Sequence, residues 1–284
     1  MTAALLEDAA EKGTVDFVND VAARLPLYVI CHLMGVPDED REHLFEITSR
    51  AFCSEDADDR RLSHAQLMGY LGKLIDKRRR DPTDDIISVL ATAEVDGRRL
   101  PQRDLLLTCD NLFIGGTENV RIAGSGGFLQ LLRSPDQWQM LRSEPGLLPT
   151  AVEEVLRWTS TPTHLLRTTL REVRIGHRTI GAGERVTLWI PSANRDEAVF
   201  AAPDTFDIRR TPNRHVSLGT GEHFCIGGIL ARAELHILYA EIAARFDRIV
   251  QAAEPTFLPS IVVNGPKTLP VHLVPAKNRI LTAD

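Results

Sequence analysis

The chain has 284 residues and a formal net charge of −6, with 43% hydrophobic and 25% charged side chains. This apolar content excludes a disordered chain, and the acidic balance leaves no overall cationic field to gather nucleic acid. The four cysteines stand singly, without the close spacing of a zinc knuckle or a disulfide framework, which fits a reducing cytosol. Apolar runs fall short of the roughly 20 residues that cross a bilayer. We therefore expect a cytoplasmic protein with neither a nucleic-acid nor a membrane partner.

The first 160 residues are predicted to be helical, because apolar residues recur three and four positions apart. One amphipathic stretch spans 15–33, and a second helix spans about 38–52 behind an acidic cap. A third helix ends in the basic run 77–80. We interpret that run as a solvated helix end stabilised by the helix dipole rather than as a partner-binding site.

Residues 102–134 contain no proline, which predicts a single helix about 50 Å long. Its middle carries Gly115 and Gly116, and glycine in a helix interior costs roughly 1 kcal/mol relative to alanine. Close helix packing would explain the pair, and so would a flat ligand that approaches the backbone. From this segment alone, packing is the favoured explanation.

The pattern changes after residue 161, where strands are predicted between residues 164 and 190. Residues 194–224 are long and irregular, and loops of that length are usually functional. A last helix follows Cys225, and a terminal hairpin is predicted within 257–274. The expected fold class is mainly α with a small β-sheet region (α+β), in a single domain over 1–284: 1–160 helical, 161–193 β-rich, 194–224 irregular, and 225–284 helix and hairpin.

The stretch 218–228 carries the strongest chemical signal. Cys225 stands at a helix start, where free backbone N–H groups and the dipole favour a thiolate. Three glycines let the chain turn sharply and let a flat ligand lie against it. A lone cysteine is more often a small buried hydrophobe, and His223 with Cys225 supplies too few ligands for structural zinc. The spacing as a whole indicates a soft metal carried on a planar cofactor.

This stretch resembles the cysteine loop of the cytochrome P-450 superfamily, which runs Phe-Gly-x-Gly-x-His-x-Cys-x-Gly. Every position matches except the first, where Leu218 keeps an apolar cover over the sulfur without its aromatic packing. Three more signatures follow the family's order. They are the Glu-x-x-Arg pair Glu154 and Arg157, the meander 200–210 with Arg210 completing an ion-pair triad, and the small-Gly-x-acid sequence 115–118 in the long helix.

The resemblance implies a haem-thiolate monooxygenase of the soluble bacterial type. Cys225 would be the axial thiolate and metal ligand of haem b. His223 and Arg167 would bind the haem propionates through charge-assisted hydrogen bonds. The remaining implied residues are Leu218, Gly219 and Gly227 in the cysteine loop, Gly116 making room for oxygen, and Glu118 and Asn119 managing protons.

Asn119 is the main departure from the family pattern, which usually has threonine after the acid. An amide donates and accepts hydrogen bonds and so holds water, but it is not a hydroxyl. Asn119 could substitute for the alcohol, substrate oxygen could supply the missing group, or the oxygen chemistry could be altered. Ordinary monooxygenation and a variant use of the haem both stay open.

The resemblance runs through essentially all 284 residues but covers only the later part of a family member. It implies that the early strands of the main sheet, the roof of the substrate pocket and one propionate-binding helix are absent. We therefore expect strands near 166–190 to show exposed edges and apolar surface. On its own, this N-terminally incomplete chain is expected to fall short of a competent enzyme.

Three functional hypotheses follow. The leading one is a monooxygenase that inserts one oxygen atom from O2 into a small organic substrate. A ferredoxin-type partner would supply the electrons, because 193–196 (Ala-Asn-Arg-Asp) resembles soluble bacterial members. The alternative is a catalytically silent or incomplete haem-binding remnant, supported by the absent N-terminal portion and by Asn119. A helical scaffold without a cofactor would require four signatures to coincide by chance.

Overall fold

The computed structural model describes residues 1–276, which divide into two compact units. The first unit comprises residues 1–121, 245–259 and the segment from 266, and the second comprises 122–244 and 260–265. No helix in the described part of the chain is both long and apolar enough for a membrane span. The single domain predicted from the sequence stays a prediction, and its last residues, 277–284, lie outside the described residues.

Ten helices and eleven strands are found between residues 1 and 276. The helices are α1 (Thr2–Lys12), α2 (Arg24–Leu33), α3 (Arg41–Cys53), α4 (Ala57–Arg80), α5 (Ile86–Thr92), α6 (Gln102–Arg133), α7 (Pro135–Ser143), α8 (Leu148–Thr159), α9 (Ile190–Ala193) and α10 (Gly228–Arg245). The strands are β1 (Thr14–Asp16), β2 (Glu94–Val95), β3 (Arg98–Arg99), β4 (His164–Thr168), β5 (Val173–Ile175), β6 (Arg178–Ile180), β7 (Arg185–Trp189), β8 (Phe246–Gln251), β9 (Thr256–Phe257), β10 (Pro266–Thr268) and β11 (Pro270–Pro275).

The first unit is built on the apolar faces of α2 to α6. The helical pattern in the sequence predicts these faces, and α6 is unbroken over Gln102–Arg133, as the absence of proline predicts. The buried side chains of this core come from all five helices: Leu27, Ile30, Leu44, Ile47, Leu67, Leu71, Ile75, Ile87, Leu105 and Phe113.

The prediction of one amphipathic stretch over 15–33 is wrong in its first part. Thr14–Asp16 is strand β1, a π-helical turn covers Val18–Ala22, and α2 begins only at Arg24. β1 pairs antiparallel with β11, and Val15 lies opposite Val271. Because that partner is more than 250 residues away in sequence, the local periodicity of apolar residues cannot predict the pairing.

The interpretation of 77–80 as a solvated helix end is wrong for one residue. Arg78 is buried, and its Nε donates to Asp85 Oδ2 at 2.5 Å. Its Nη2 donates to Gly35 O at 2.7 Å. Asp85 also accepts the Ser88 N–H at 2.7 Å as the cap of α5. Arg78 therefore ties α4 to the start of α5, while the other three side chains of the run are exposed.

Short antiparallel sheets complete the first unit. β1, β11 and β8 form a three-stranded sheet, and β9 pairs with β10. The predicted terminal hairpin therefore corresponds to β9 and β10, whereas β11 joins the other sheet. β2 and β3 form a hairpin whose turn places Asp96 and Gly97 at positive φ.

The second unit contains α8, most of α10 and two small sheets. β4 pairs antiparallel with β7, and β5 pairs with β6. Leu166, Leu188 and Trp189 on β4 and β7 are 43–58% exposed, which is the apolar surface that the sequence predicts for this region. Within the segment predicted to be irregular, 194–224, residues 194–220 have no helix or strand, and a 3-10 turn covers Gly221–His223.

Candidate functional site

The cysteine loop (218–227) presents Cys225 at the surface of the second unit. Cys225 N donates to Leu218 O at 2.8 Å, and Gly228 N donates to Cys225 O at 3.0 Å, so the loop closes immediately before α10. Gly219 has φ +73°, and a Cβ there would lie 2.8 Å from His223 O. Both facts require glycine at this position. The thiol therefore lies on a loop whose shape the backbone fixes.

The side chains around Cys225 suit a large apolar ligand. Phe224, Ile226 and Ile229 are 52%, 89% and 84% exposed. Residues 1–276 contain no group of three or more His, Cys, Asp or Glu that could hold a metal ion. A single thiol beside apolar side chains fits a metal whose other ligands come from a flat cofactor, and the residues present therefore fit a haem.

The two predicted propionate-binding side chains lie in the same unit as Cys225. His223 is exposed in the 3-10 turn Gly221–His223. Arg167 lies in β4 opposite Val186, and its Nη1 donates to Leu166 O at 3.0 Å. Neither forms an ion pair with another residue in the described part of the chain. Both are available to donate hydrogen bonds to a ligand carboxylate.

The three predicted ion-pair residues are brought together. Glu154 and Arg157 are fully buried on α8, and Arg157 Nε and Nη2 each donate to a different oxygen of Glu154 at 2.7 Å. Arg210 Nε donates to Glu154 Oε2 at 3.1 Å. A buried pair of this kind is stable only when its remaining donors and acceptors are also satisfied.

The remaining donors of Arg157 hold the irregular segment against α8. Its guanidinium donates to the carbonyl oxygens of Asn194 at 2.9 Å, Pro203 at 2.8 Å and Thr205 at 3.1 Å. Asn194 is itself buried, and its side chain accepts the Val216 N–H at 2.8 Å. The sequence indicates Asn194 only through the family phrase at 193–196, so its anchoring role was missed.

The two adjacent glycines of α6 differ in their surroundings. A Cβ on Gly116 would lie 2.9 Å from Ile30 Cδ1 of α2, whereas nothing lies within 4 Å of a Cβ on Gly115. Close packing therefore accounts for Gly116, as the segment alone favours, but not for Gly115. Oxygen access at Gly116 stays a prediction.

Glu118 is held by an arginine that the sequence analysis did not single out. Glu118 and Arg121 are 6% and 5% exposed in the first unit. Arg121 Nε donates to Glu118 Oε2 at 3.0 Å, Nη2 donates to Oε1, and Nη1 donates to Pro266 O at 3.1 Å. The signal was available, since Arg121 follows Glu118 at the same i,i+3 spacing that links Glu154 to Arg157.

The two polar side chains next to Glu118, Thr117 and Asn119, differ in their hydrogen bonding. Thr117 Oγ1 donates to Phe113 O at 3.0 Å within the same helix. Asn119 is half-buried, and its side chain makes no hydrogen bond to any of residues 1–276. Asn119 is therefore the polar side chain of this turn that is available to hold water.

A cavity lies beside the Glu118–Arg121 pair in the first unit. Its empty volume is about 340 Å³, including the part that opens to solvent. Burial raises the pKa of the Cys53 thiol in its wall, with Arg121 opposing that effect. Water can therefore approach the ion pair from a pocket lined by neutral polar and apolar side chains, among them Asn19, Leu27, Phe45, Thr48, Ser49, Cys53 and Thr117.

The Glu118–Arg121 pair is expected to couple the effects of mutations. Arg121→Met leaves a buried carboxylate and Glu118→Gln leaves a buried guanidinium, whereas the double variant removes both charges. We expect a coupling of about 1–3 kcal/mol in the opening free energy of α6, measured by hydrogen exchange. The exposed i,i+3 pair of Asp58 and Arg61 is the matched control and should couple by no more than about 0.5 kcal/mol. Additive effects at 118 and 121 would contradict the prediction.

Comparison with known proteins identifies the family. A family model described as Cytochrome P450 matches residues 40–271. The chain belongs to the cytochrome P450 family. The steroid C26-monooxygenase of Mycobacterium tuberculosis (strain CDC 1551 / Oshkosh) is 38% identical to this P450 over 282 residues, which cover 96% of the chain and 76% of the relative.

Two solved P450 structures show the same fold. P450 OxyD, which is involved in the biosynthesis of vancomycin-type antibiotics, matches with a TM-score of 0.89 at 39% identity, over 97% of this chain and 70% of OxyD. CYP109E1 from Bacillus megaterium in complex with testosterone matches with a TM-score of 0.86 at 32% identity, over 96% and 76%. The predicted fold class and the family resemblance are therefore confirmed.

Membership of the family also defines the class of chemistry. Its named members include monooxygenases, so this P450 is an oxidoreductase of that type. The family implies a haem-thiolate cofactor. The roles of individual residues in holding that cofactor stay predictions.

Proposed function

We propose that this P450 binds haem b through Cys225 and inserts one oxygen atom from O2 into a small organic substrate. The observation that carries the proposal is the exposed Cys225 thiol, set on a loop fixed by glycine and surrounded by exposed apolar side chains. When bound, the haem supplies the reductive activation of dioxygen. A thiolate ligand favours that chemistry because it donates electron density to the iron.

The second unit supplies the residues that would hold the cofactor. Cys225 would ligate the iron, and His223 and Arg167 would donate hydrogen bonds to the propionates. Leu218 fixes the main chain at Cys225, because its carbonyl oxygen accepts the Cys225 N–H. Gly219 and Gly227 keep the loop free of side chains that would obstruct a flat ligand.

The middle of α6 would manage protons. Arg121 binds both oxygens of Glu118 and so fixes the carboxylate in one orientation. We assign to Asn119 the task of holding water in place of the family's alcohol, since its amide has both donors and an acceptor. The cavity beside Thr48 and Ser49 would bring water to Glu118, which lies in its wall.

The substrate class and the electron donor are the finer parts of the proposal. The relative from Mycobacterium tuberculosis is named a steroid C26-monooxygenase, and CYP109E1 was solved with testosterone, so testosterone is a suitable first probe. A ferredoxin-type donor and a cytoplasmic location follow from the resemblance to soluble bacterial members. Testosterone oxidation with a ferredoxin system would support the proposed substrate class and the proposed electron donor.

A catalytically silent haem protein is the second candidate. Two observations favour it: Asn119 replaces the alcohol, and Glu118 is held by Arg121. A silent protein would bind haem through the thiolate but would transfer no oxygen to any substrate. A monooxygenase would bind haem through the thiolate and would also transfer oxygen to a substrate.

Cys225→Ser is expected to abolish the strongly red-shifted Soret band of the reduced carbon monoxide complex. A serine hydroxyl does not supply a thiolate to the iron, so thiolate ligation is lost. The chain is loaded with haem, reduced with dithionite and compared with Cys53→Ser, which makes the same change at a partly buried cysteine of the first unit. The control should keep the band. A band that survives in Cys225→Ser would exclude Cys225 as the ligand.

A further inference from the structure

One carboxylate joins both ends of the cysteine loop to α8. Glu153 Oε2 lies 3.0 Å from His215 Nε2, three residues before the loop begins. On the other side of the loop, Arg232 Nε donates to Glu153 Oε1 at 2.6 Å and Nη2 donates to Oε2 at 2.9 Å. The two flanks of the loop therefore meet at a single side chain of the second unit.

The hydrogen bond on the first flank has a defined direction. The Ser217 N–H donates to His215 Nδ1 at 3.3 Å, so Nδ1 carries no hydrogen. The hydrogen of the ring is therefore on Nε2, which donates to Glu153. Ser217 Oγ donates in turn to Leu156 O at 2.6 Å. The segment that enters the cysteine loop is thus hydrogen-bonded to α8 at two points, the Glu153 side chain and the Leu156 carbonyl oxygen.

The second flank is held by a two-point ion pair. Arg232 lies in α10, and its Nη1 donates to Gly228 O at 3.3 Å in the first turn of that helix. A Cβ on Gly228 would lie 3.5 Å from Leu218 Cδ1 and 3.6 Å from Arg232 Nη1. Arg232 therefore packs against the point where the loop closes on α10.

The charges of this cluster favour its ionised form. Burial opposes ionisation of Glu153, but the hydrogen bonds from His215 and Arg232 outweigh it and lower the pKa of Glu153 to about 2. The hydrogen bond to Glu153 is the main cause that raises the pKa of Arg232, and Cys225 contributes in the same direction. Arg232 is therefore linked electrostatically to Glu153.

We propose that Glu153 is the positioning residue for Cys225: by binding His215 and Arg232 it holds both ends of the cysteine loop in the shape that presents the thiol to iron. The neighbouring Glu154 has a different role, because it binds Arg157 and Arg210, and these arginines hold the irregular segment against α8. The inference rests on the proposed function, since the position of Cys225 matters to chemistry only if Cys225 ligates the haem.

The test compares Glu153→Gln with the parent chain by two measurements. In hydrogen exchange of the haem-free chain, the amides of 216–228 should exchange about tenfold faster or more, as expected when charge-assisted hydrogen bonds are lost. Amides of β4 and β7 should not change. In the reduced carbon monoxide complex of the haem-loaded chain, part of the thiolate-type Soret band should convert to the less shifted form, which the loss of a contact without effect on the position of Cys225 would not cause.

Two further variants make the test selective. Glu144→Gln removes a carboxylate that pairs with Arg209 on the surface of the same unit, and neither signal should change. Arg232→Lys keeps the cation but not the two-point contact, and it should give an intermediate exchange rate. If Glu153→Gln fails to fold, Arg232→Lys replaces it as the test variant for both measurements.

The outcomes separate this proposal from the proposed function. Unchanged exchange in 216–228, or an equal increase throughout the second unit, would overturn the positioning role of Glu153. Faster loop exchange together with the spectral conversion would support it. If the parent shows no thiolate-type band while loop exchange still rises in Glu153→Gln, the haem-thiolate function fails and the anchoring of the loop by Glu153 stands.

Discussion

Replacing Arg157 by methionine is expected to lower the free energy of unfolding of the second unit by about 3–5 kcal/mol, the usual effect of removing one partner of a buried ion pair. The change leaves the fully buried Glu154 with Arg210 as its remaining arginine partner and deprives the carbonyl groups of Asn194 and Pro203 of their donor. The carbonyl oxygen of Thr205 still accepts from Arg210 Nη2 at 2.8 Å. Methionine keeps much of the length of the side chain, so lost packing contributes little. The large effect therefore comes from unsatisfied polar groups.

Tryptophan fluorescence during chemical denaturation reports the unfolding of the second unit, where Arg157 lies. Trp138, Trp158 and Trp189 are the three tryptophans of the chain, and all lie in the second unit. Arg209→Met is the control, because Arg209 forms a half-exposed ion pair with Glu144 and its loss should cost no more than about 1 kcal/mol. Equal destabilisation by the two variants would show that the triad contributes no more than a surface pair.

Glu234→Gln is expected to stabilise the second unit at alkaline pH and to leave its stability nearly unchanged in acid. Glu234 lies on α10 with 5% of its surface exposed, and its Oε2 has no hydrogen-bond partner among residues 1–276. Burial raises its pKa to about 8. Glutamine has nearly the same shape and never ionises, so the variant removes the cost of a buried charge.

The sign of the pH dependence follows from that raised pKa. The folded state binds the proton of Glu234 more tightly than the unfolded state, so stability is full below about pH 4.5 and falls as the pH rises towards about 8. The loss is on the order of 3–5 kcal/mol in the parent, at 1.36 kcal/mol for each unit of pKa difference. Glu197→Gln, at an exposed position of the same unit, is the control. A parent and a Glu234→Gln variant with parallel pH profiles would contradict the prediction.

The features that the sequence predicts well are those set by neighbours along the chain. The absence of proline and the apolar period predict α6, and the i,i+3 spacing predicts the contact of Glu154 with Arg157. The same spacing at Glu118 and Arg121 was overlooked, because the expected partner of the acid was the alcohol that follows it in the family.

The features that were missed depend on contacts between distant segments. β1 is three residues long, and its pairing with β11 joins the two ends of the described chain. Glu153 meets His215 across 62 positions and Arg232 across 79. Nothing in the periodicity of α8 distinguishes Glu153 from an ordinary surface carboxylate. Only the path of the irregular segment, which has no period, brings these side chains together.

The contacts of Arg157 also bear on how the irregular segment can vary in sequence. The guanidinium binds the main-chain oxygens of Pro203 and Thr205, and every amino acid has that oxygen. Substitutions at the exposed Thr205 therefore keep the anchor, whereas Asn194 contributes its own amide and has no equivalent replacement. A library randomised at 205 should consist mainly of folded members, and one randomised at 194 should not. Natural relatives can diverge along this segment while its course over α8 remains the same.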